Sequence, residues 1–409
     1  MEMSALTTPL TSKTFTIKNR LLKAAMSEAL ATSQNNPIEA LIHLYRRWAQ
    51  GGAGLLISGN VMVDRKALGE PGNVAIEDEQ DLAMLKKWAN AGTQHDTHFW
   101  VQLNHPGKQT PKSVSKEPVA PSAVPLFGGG HAFNKPRALT TDEIWDIIKR
   151  FGRAAHIVKK AGFTGVQIHA AHGYLISQFL SPHHNQRTDE WGGDLNGRMH
   201  FLLKVYQEIR EHVGDDFPIG IKLNSADFQR GGFTEEESIG VLKTMDEAGI
   251  DLIEISGGNY ENPKMLGGDV KKSTKEREAY FLEYAEKARH LVRAPFVVTG
   301  GFRSEKAMVD AIESGALDMI GIGKPFALNP DLPNQIINGS YETVNTKPIK
   351  TGFKPLDKRV SSMLDLTWYE QQLARMGKGK DPNPDLPPLR TLVTMIVTHG
   401  TAMFQKRRT

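Results

Sequence analysis

Not one of the 409 residues is cysteine, which removes disulfides, iron–sulfur ligation, thiolate zinc sites and cysteine nucleophiles together. Excess charge of one sign is missing too. The 50 Lys+Arg and 46 Asp+Glu leave a formal +4 spread thinly along the chain, with one dense basic run, QKRRT, at the C-terminal end. That balance gives no electrostatic footprint for nucleic acid. Long apolar runs are also absent. The N-terminal MEMSALTTPLTSKTF lacks the basic-then-apolar order of a signal peptide, and LVTMIVTHGTAMF is too short and too interrupted to cross a bilayer. These absences predict a soluble, cytoplasmic protein that meets neither nucleic acid nor membrane. Its chemistry must come from other side chains or from a bound cofactor.

What is present is globular composition, 39% hydrophobic and 23% charged, enough for a sizeable core. Runs rich in Val, Ile and Leu recur at Arg20–Met26, Gly54–Asn60, His98–Leu103, Gly165–Ala170, Pro218–Asn224, Asp251–Ser256, Pro295–Gly300 and Leu317–Gly323. Stretches of helical period separate them, the pattern of βα units around a parallel sheet. Eight such units, with no G-x-G-x-x-G after any strand, predict an α/β TIM (β/α)8 barrel over residues 1–338 rather than an open doubly wound sheet. Helix punctuation agrees. Thr140 with Glu143 and Thr234 with Glu237 read as capping boxes, and Ser304 can cap a helix that stops at Gly315. Between Thr140 and Gly162, Ile144, Ile147, Ile148, Phe151, Ala155 and Val158 fall on one helical face, which should pack on the barrel.

Two segments stand outside the repeat. Residues 104–139 are rich in Pro and Gly (APSAVPLFGGGH) and follow the third strand on the catalytic face, so they are expected to form a lid. Residues 339–409 contain a helix around SSMLDLTWYEQQLARM, a flexible GKGKDPNPDLPP and a final helix from about Leu389. Trp368, Tyr369 and Met395 give this extension apolar material for docking on its own barrel or on a neighbour's.

In the stretch IHAAHGYLISQFLSPHHNQRTDEWGG, His169 and His172 stand three residues apart just after a strand. A metal pair, an acid/base pair, an anion clamp and plain packing are all open to an H-x-x-H at this place. No acidic third ligand stands at a recognisable spacing, even with His183 and His184 close by, and no metal is expected. The C-terminal half is more specific. VVTGGFRSEKAM ends a strand in Gly300 and Gly301 and opens a helix, and IGIGKPFALNP ends the next in Gly321 and Gly323 followed by Lys324. Loops after strands seven and eight of TIM barrels commonly bind phosphate through backbone N–H groups, although such glycines can also merely turn the chain. A phosphate there, at a barrel mouth without cysteine, suggests flavin mononucleotide (FMN).

The sequence resembles the Old Yellow Enzyme family of FMN-dependent oxidoreductases, in its NADH:flavin oxidoreductase/NADH oxidase-like branch, over most of residues 5–335. The resemblance is carried by TPLTSKTFTIKNRLLKAAM, VQLNHPG, PVAPSAVP, PRALTTDEI, the long histidine-bearing signature, REAYFLEYAEKAR and TGGFRS…GIGKP. It implies that Ala25, Met26, Ser27 and Gly59 touch the flavin and that Gln102 hydrogen-bonds its pyrimidine part. It also implies that Lys222 places a cation near N1 and O2, and that Gly300, Gly301, Gly323 and Lys324 form the phosphate site. His169 and His172 match the pair that binds a substrate carbonyl or nitro oxygen, and Tyr174 matches a proton donor.

Departures from the pattern are Ser27 where some relatives carry Cys, and Lys222 and Lys324 where Arg is usual, so point charges replace planar forks. Lys222 is also readable as a structural ion-pair partner for Asp227 or Glu254. The implied activity is reduction of FMN by NADH or NADPH, then hydride transfer to an activated alkene, quinone, nitro compound or O2. The alternatives are an FMN- or phosphate-binding barrel without redox turnover and a flavin-free lyase. Partners are expected to be small molecules, with homo-oligomers open. The segment 104–139 and the loop Gly257–Lys275 are expected to decide substrate and nicotinamide preference.

Overall fold

The computed structural model describes residues 4–126, 132–258, 278, 281–346 and 348–399. The expected loop Gly257–Lys275 therefore lies almost wholly outside the described residues. Eight strands form the barrel: β1 (Leu21–Lys23), β2 (Leu55–Ile57), β3 (His98–Asn104), β4 (Gly165–Ala170), β5 (Ile219–Asn224), β6 (Leu252–Ser256), β7 (Phe296–Thr299) and β8 (Met319–Ile322). All run parallel, each bonded to the next, and β8 closes on β1 with Ile320 opposite Leu21. The first strand is shorter than its apolar run. Ladder pairing of β1 ends at Lys23, so Ala25, Met26 and Ser27 sit on the loop beyond it.

The barrel floor is filled by Trp100 of β3, and two facing strands make room for it. A Cβ at Gly165 would stand 2.6 Å from the indole, and one at Gly220 would stand 2.9 Å from it. From below, Phe15 in the N-terminal hairpin meets Trp100 edge-on at 5.5 Å. Leu22, Leu55, Ile57, Leu252, Val297 and Met319 complete this inner cluster. Above it the inward positions turn polar, with Gln102, Gln167, Lys222 and Glu254 all buried. A barrel whose filling changes from apolar to polar along its axis has its site at the polar end, where the strands finish.

Outside the strands lie α1 (Glu39–Gln50), α2 (Leu82–Gly92), α3 (Thr141–Ala161), α4 (Leu175–Leu180), α5 (Leu195–Val213), α6 (Glu235–Ala248), α7 (Leu282–Ala288) and α8 (Glu305–Glu313). After β8 come α9 (Lys324–Leu328), α10 (Leu332–Ile337), α11 (Lys354–Gly377) and α12 (Pro388–His399). Both expected capping boxes are formed, and Ser304 accepts from the Ala307 N–H at the start of α8. The apolar face of α3 is buried against the barrel. No described helix is long and apolar enough to cross a membrane.

Residues 104–126 and 132–139 pack down rather than stand free. Val119–Ala120 pairs with Arg137–Ala138, and the buried Lys108 donates to His184 Nδ1 at 2.8 Å. The C-terminal helices pack on their own chain: Trp368, Leu373 and Met376 of α11 join the main hydrophobic cluster with α1. The segment read as flexible, GKGKDPNPDLPP, is pinned. Trp368 Nε1 donates to the Leu386 carbonyl at 2.9 Å, and the Asn383 N–H donates to Gln372 Oε1 at 2.7 Å. Its glycines and prolines signal turns, and turns can be held as firmly as helices when tertiary partners exist.

Candidate active site

β4 delivers His169 to the mouth of the barrel, and the chain then turns sharply. His172 takes a left-handed backbone (φ 61°), followed by Gly173 at φ 75°. A non-glycine residue in that region costs free energy and needs support from its surroundings. Support comes from three elements. The His172 N–H donates to Asn224 Oδ1 at 3.1 Å, Gln109 Nε2 donates to the His172 carbonyl at 3.0 Å, and His172 Nε2 lies 2.8 Å from Ser256 Oγ. The turn folds the histidines and Tyr174 together. The His169 ring centroid is 5.1 Å from that of His172 and 4.8 Å from that of Tyr174, each pair edge-on. The Tyr174 oxygen accepts from Asn60 Nδ2 at 3.3 Å.

Burial, with the neighbouring His172 ring and the Lys222 ammonium, holds the His169 imidazole well below its usual range, and burial with Lys222 does the same to His172. Both rings are therefore neutral at pH 7. His169 Nδ1 accepts from the Ala171 N–H at 3.3 Å, which places the single hydrogen of the neutral ring on Nε2. No group of three His, Asp or Glu among the described residues is placed to hold a metal.

Beneath this triad the polar layer is one connected network. Gln102 Nε2 donates to Gln167 Oε1 at 2.7 Å, and Gln167 Nε2 donates to Glu254 Oε2 at 2.7 Å. Glu254 Oε1 receives Lys222 Nζ at 2.8 Å and the Thr299 hydroxyl at 2.6 Å. Of the two ion-pair partners the sequence offered for Lys222, Glu254 is the one seen. Asp227 instead accepts from Asn224 Nδ2 and the Phe233 N–H. Gln167 and Thr299 were missed from sequence, and Glu254 was read only as a partner for Lys222. The available signal was their parity, a polar residue on the inward face of an otherwise apolar strand.

At the far side of the mouth, Gly300 and Gly301 take φ 123° and 100°, a conformation that needs glycine. Gly323 precedes α9, whose first turn has no side-chain cap. A Cβ on Gly323 would meet nothing nearer than Met26 at 3.8 Å. The protein's own packing thus does not require glycine there, and the open space suits a group that approaches the backbone closely. Gly59 is different. Its missing side chain is required by Glu28, whose Oε1 accepts the Gly59 N–H at 2.8 Å and whose Oε2 a Cβ would strike. Lys324 is ion-paired with Asp365 of α11.

Ser27 donates to Glu70, which also receives Asn73 Nδ2 at 3.2 Å. Glu370 of α11 reaches both Ser27 and Glu70. Burial pushes both carboxyls up, Glu370 well above the usual range; the charge of Glu70 adds to the effect on Glu370, and that of Glu28 to the effect on Glu70. Two carboxyls in contact share a proton, and the protonated form is the one the fold prefers. A raised folded value gives stability that is full below the unfolded carboxyl range and is lost as pH rises through the folded value. Glu370→Gln, locked in the neutral form, should therefore gain melting temperature over the parent, and the gain should be larger at pH 8 than at pH 5. A gain that does not change with pH would show that Glu370 is not titrating in the fold.

A groove of about 610 Å³ bounded by Ser12, Lys13, Arg210 and Asp251 opens at the opposite, N-terminal end of the barrel, where residues of such barrels serve stability. The chemistry is all at the other end: a cradle after β7 and β8, a polar layer and a neutral imidazole pair. This layout is that of a TIM-barrel enzyme with its site at the C-terminal ends of the strands.

Residues 5–343 match the model of the NADH:flavin oxidoreductase / NADH oxidase family, and the chain belongs to that family. An NADH-dependent flavin oxidoreductase of Hypocrea jecorina is 38% identical over 347 residues, covering 79% of this chain and 86% of the relative. The old yellow enzyme homologue from Zymomonas mobilis superposes with a TM-score of 0.71 at 27% identity, over 84% of this chain and 95% of its own. A 2-naphthoyl-CoA reductase in complex with 2-naphthoyl-CoA gives 0.76 at 30% identity over 82% of this chain, which spans about half of that larger protein, 52%. The chain is thus an FMN-dependent oxidoreductase of the Old Yellow Enzyme type that uses a nicotinamide cofactor and a small-molecule substrate.

Proposed function

We propose that the protein reduces electron-poor alkenes conjugated to a carbonyl, and that His169 and His172 bind the carbonyl oxygen. The observation that carries this reading is the pair of neutral imidazoles at one mouth, with the His169 hydrogen on Nε2. FMN, when bound, supplies the hydride at the β-carbon of the substrate. Negative charge then gathers on the carbonyl oxygen, and preorganised N–H donors lower the barrier most where charge develops. Neutral rings suit this task, because they donate hydrogen bonds without adding a charge that the ground state would also feel. Quinones and nitro compounds present the same oxygen.

Tyr174, packed edge-on against His169, is placed to give a proton to the α-carbon. Asn60 donates to the same phenolic oxygen and steadies it after the proton leaves. Gln102 and Lys222 would face the pyrimidine side of the cofactor, with Ala25, Met26, Ser27 and Gly59 along its edge. Gly300, Gly301, Gly323 and Lys324 would hold its phosphate. Residues 1–338 form the catalytic unit in this reading. The described residues of 104–139 would cover its mouth, since Gln109 grips the His172 carbonyl, and those of 339–399 pack along one side.

The purified protein should be yellow and release FMN on denaturation, and it should oxidise NADH or NADPH in the presence of an enone. A colourless protein that cannot be reconstituted with FMN would sink the reading. Tyr174→Phe is expected to slow enone reduction by ~10² or more while sparing reduction of the flavin by NAD(P)H, because the proton is needed only in the second half-reaction. Stopped-flow measurement of both half-reactions checks this. An unchanged enone rate would make water or another acid the donor.

A further inference from the structure

The cation assigned above to the cofactor phosphate already has an anion. Lys324 Nζ is hydrogen-bonded to Asp365 Oδ2 on α11, with the two side chains 37% and 15% exposed. One turn along the same helix, the Tyr369 ring lies 5.1 Å from the ammonium. The other carboxylate oxygen, Asp365 Oδ1, accepts from the Ile349 N–H at 3.4 Å and so ties down the chain that leads into α11. The loop after β7 shows the same occupation. The N–H groups of Arg303 and Ser304, which lead into α8, both donate to Glu278 Oε2 at 2.8 Å. Among the described residues, Lys324 and the N–H groups that lead into α8 thus each already hold a carboxylate of the chain itself.

A phosphate monoester carries about −1.5 to −2 charges at neutral pH. To reach Lys324 it must displace the single charge of Asp365 or share the ammonium with it. Either way Asp365 opposes the incoming group, and opposition between like charges a few ångströms apart is strong at a half-buried site. We propose that Asp365 is the internal counter-ion of the cofactor-phosphate site, holding Lys324 in place and setting how tightly the barrel retains the phosphorylated cofactor. This rests on the assignment of Lys324 to the FMN phosphate. It gives α11 a role that the barrel motifs do not contain. The extension neutralises a cation of the barrel, and it makes cofactor retention adjustable from outside the barrel.

The test separates the phosphate from the ring system. Release of FMN from the holoprotein on serial dilution, followed by flavin fluorescence, gives its affinity, and the same protein reconstituted with riboflavin gives the affinity of the ring without phosphate. Asp365→Asn keeps the shape of the side chain and an acceptor for Ile349. It is expected to bind FMN about tenfold more tightly and riboflavin as the parent does, with the gain shrinking as salt is raised. Adding Lys324→Gln to that variant should abolish the gain. Asp365→Ser, which also retains an acceptor, serves should Asp365→Asn fail to fold.

Weaker FMN binding in the variants, or equal shifts for FMN and riboflavin, would make Asp365 a structural partner and overturn the proposal. Unchanged FMN affinity would overturn it too while leaving the flavin assignment intact. Failure of the parent protein to bind either flavin would instead reject the assignment itself.

Discussion

Replacing both His169 and His172 is expected to leave a folded, yellow protein whose enone reduction has fallen by roughly 10²–10³ for each donor lost. The protein should also no longer bind phenols, whose oxygen mimics the charge that develops on the substrate. The fold should survive because the two side chains act at the mouth and not in the apolar filling. His169 stands one residue before the end of its strand, and the His172 ring lies on the turn beyond it against Ser256 at the end of β6. The choice of replacement matters at position 172. Its backbone sits at φ 61°, where alanine is strained and asparagine is tolerated. The pair His169→Ala and His172→Asn therefore isolates the loss of the ring donors from a change in the turn. Single-turnover reduction of an enone by pre-reduced protein reads the effect directly. A double variant that reduces enones at the parental rate would remove both histidines from the reaction.

The barrel was legible because strands buried on both faces read as unbroken apolar runs, and because the caps at Thr140, Thr234 and Ser304 are local signals written within a few residues. The cluster at the barrel mouth was legible for a related reason. His169, His172 and Tyr174 come from a single strand-to-helix turn, so their closeness in space follows from closeness in sequence. Their supports do not share that advantage. Ser256 stands 84 residues from His172, Asn224 stands 52 from it, and Asn60 stands 114 from Tyr174. Closing the barrel brings them together, and no periodicity encodes which strand end meets which. The contributions of α11 were hidden in the same way. Asp365 and Glu370 look like ordinary solvated charges on a helix rich in polar residues. Only the docking of Trp368 into the main core turns that face of α11 toward Lys324 and Ser27. Gly59 carries a second constraint that the sequence did not show. The resemblance implies a flavin contact there, and the structure adds that Glu28 leaves no room for a side chain at this position.

The largest effect on stability is expected at Lys222. Its ammonium lies 2.8 Å from Glu254 Oε1, and the two side chains are 4% and 0% exposed. Lys222→Met would leave the carboxylate buried without its cation, a change that typically costs about 3–5 kcal/mol. That loss by itself says nothing about the cofactor, because the ion-pair role and the flavin role share one lysine. A second substitution separates them. Gln167 and Thr299 now donate to opposite oxygens of the carboxylate; in Lys222→Met with Glu254→Gln, residue 254 is neutral, its amide oxygen can accept from Gln167 and its NH2 can donate to the Thr299 hydroxyl. Replacing both members of a buried pair with neutral groups of similar volume is often close to neutral in stability, so most of the lost melting temperature should return. The reduction potential of bound FMN should not return with it. If Lys222 favours the negative charge that gathers on the cofactor during reduction, removing the lysine alone lowers the potential most, since Glu254 then acts unopposed. The double variant, with no charge of either sign, should lie between that value and the parent's. Spectroelectrochemical titration and thermal melts of the three proteins give both orders. A double variant with parental potential and restored stability would show that Lys222 serves only to satisfy Glu254.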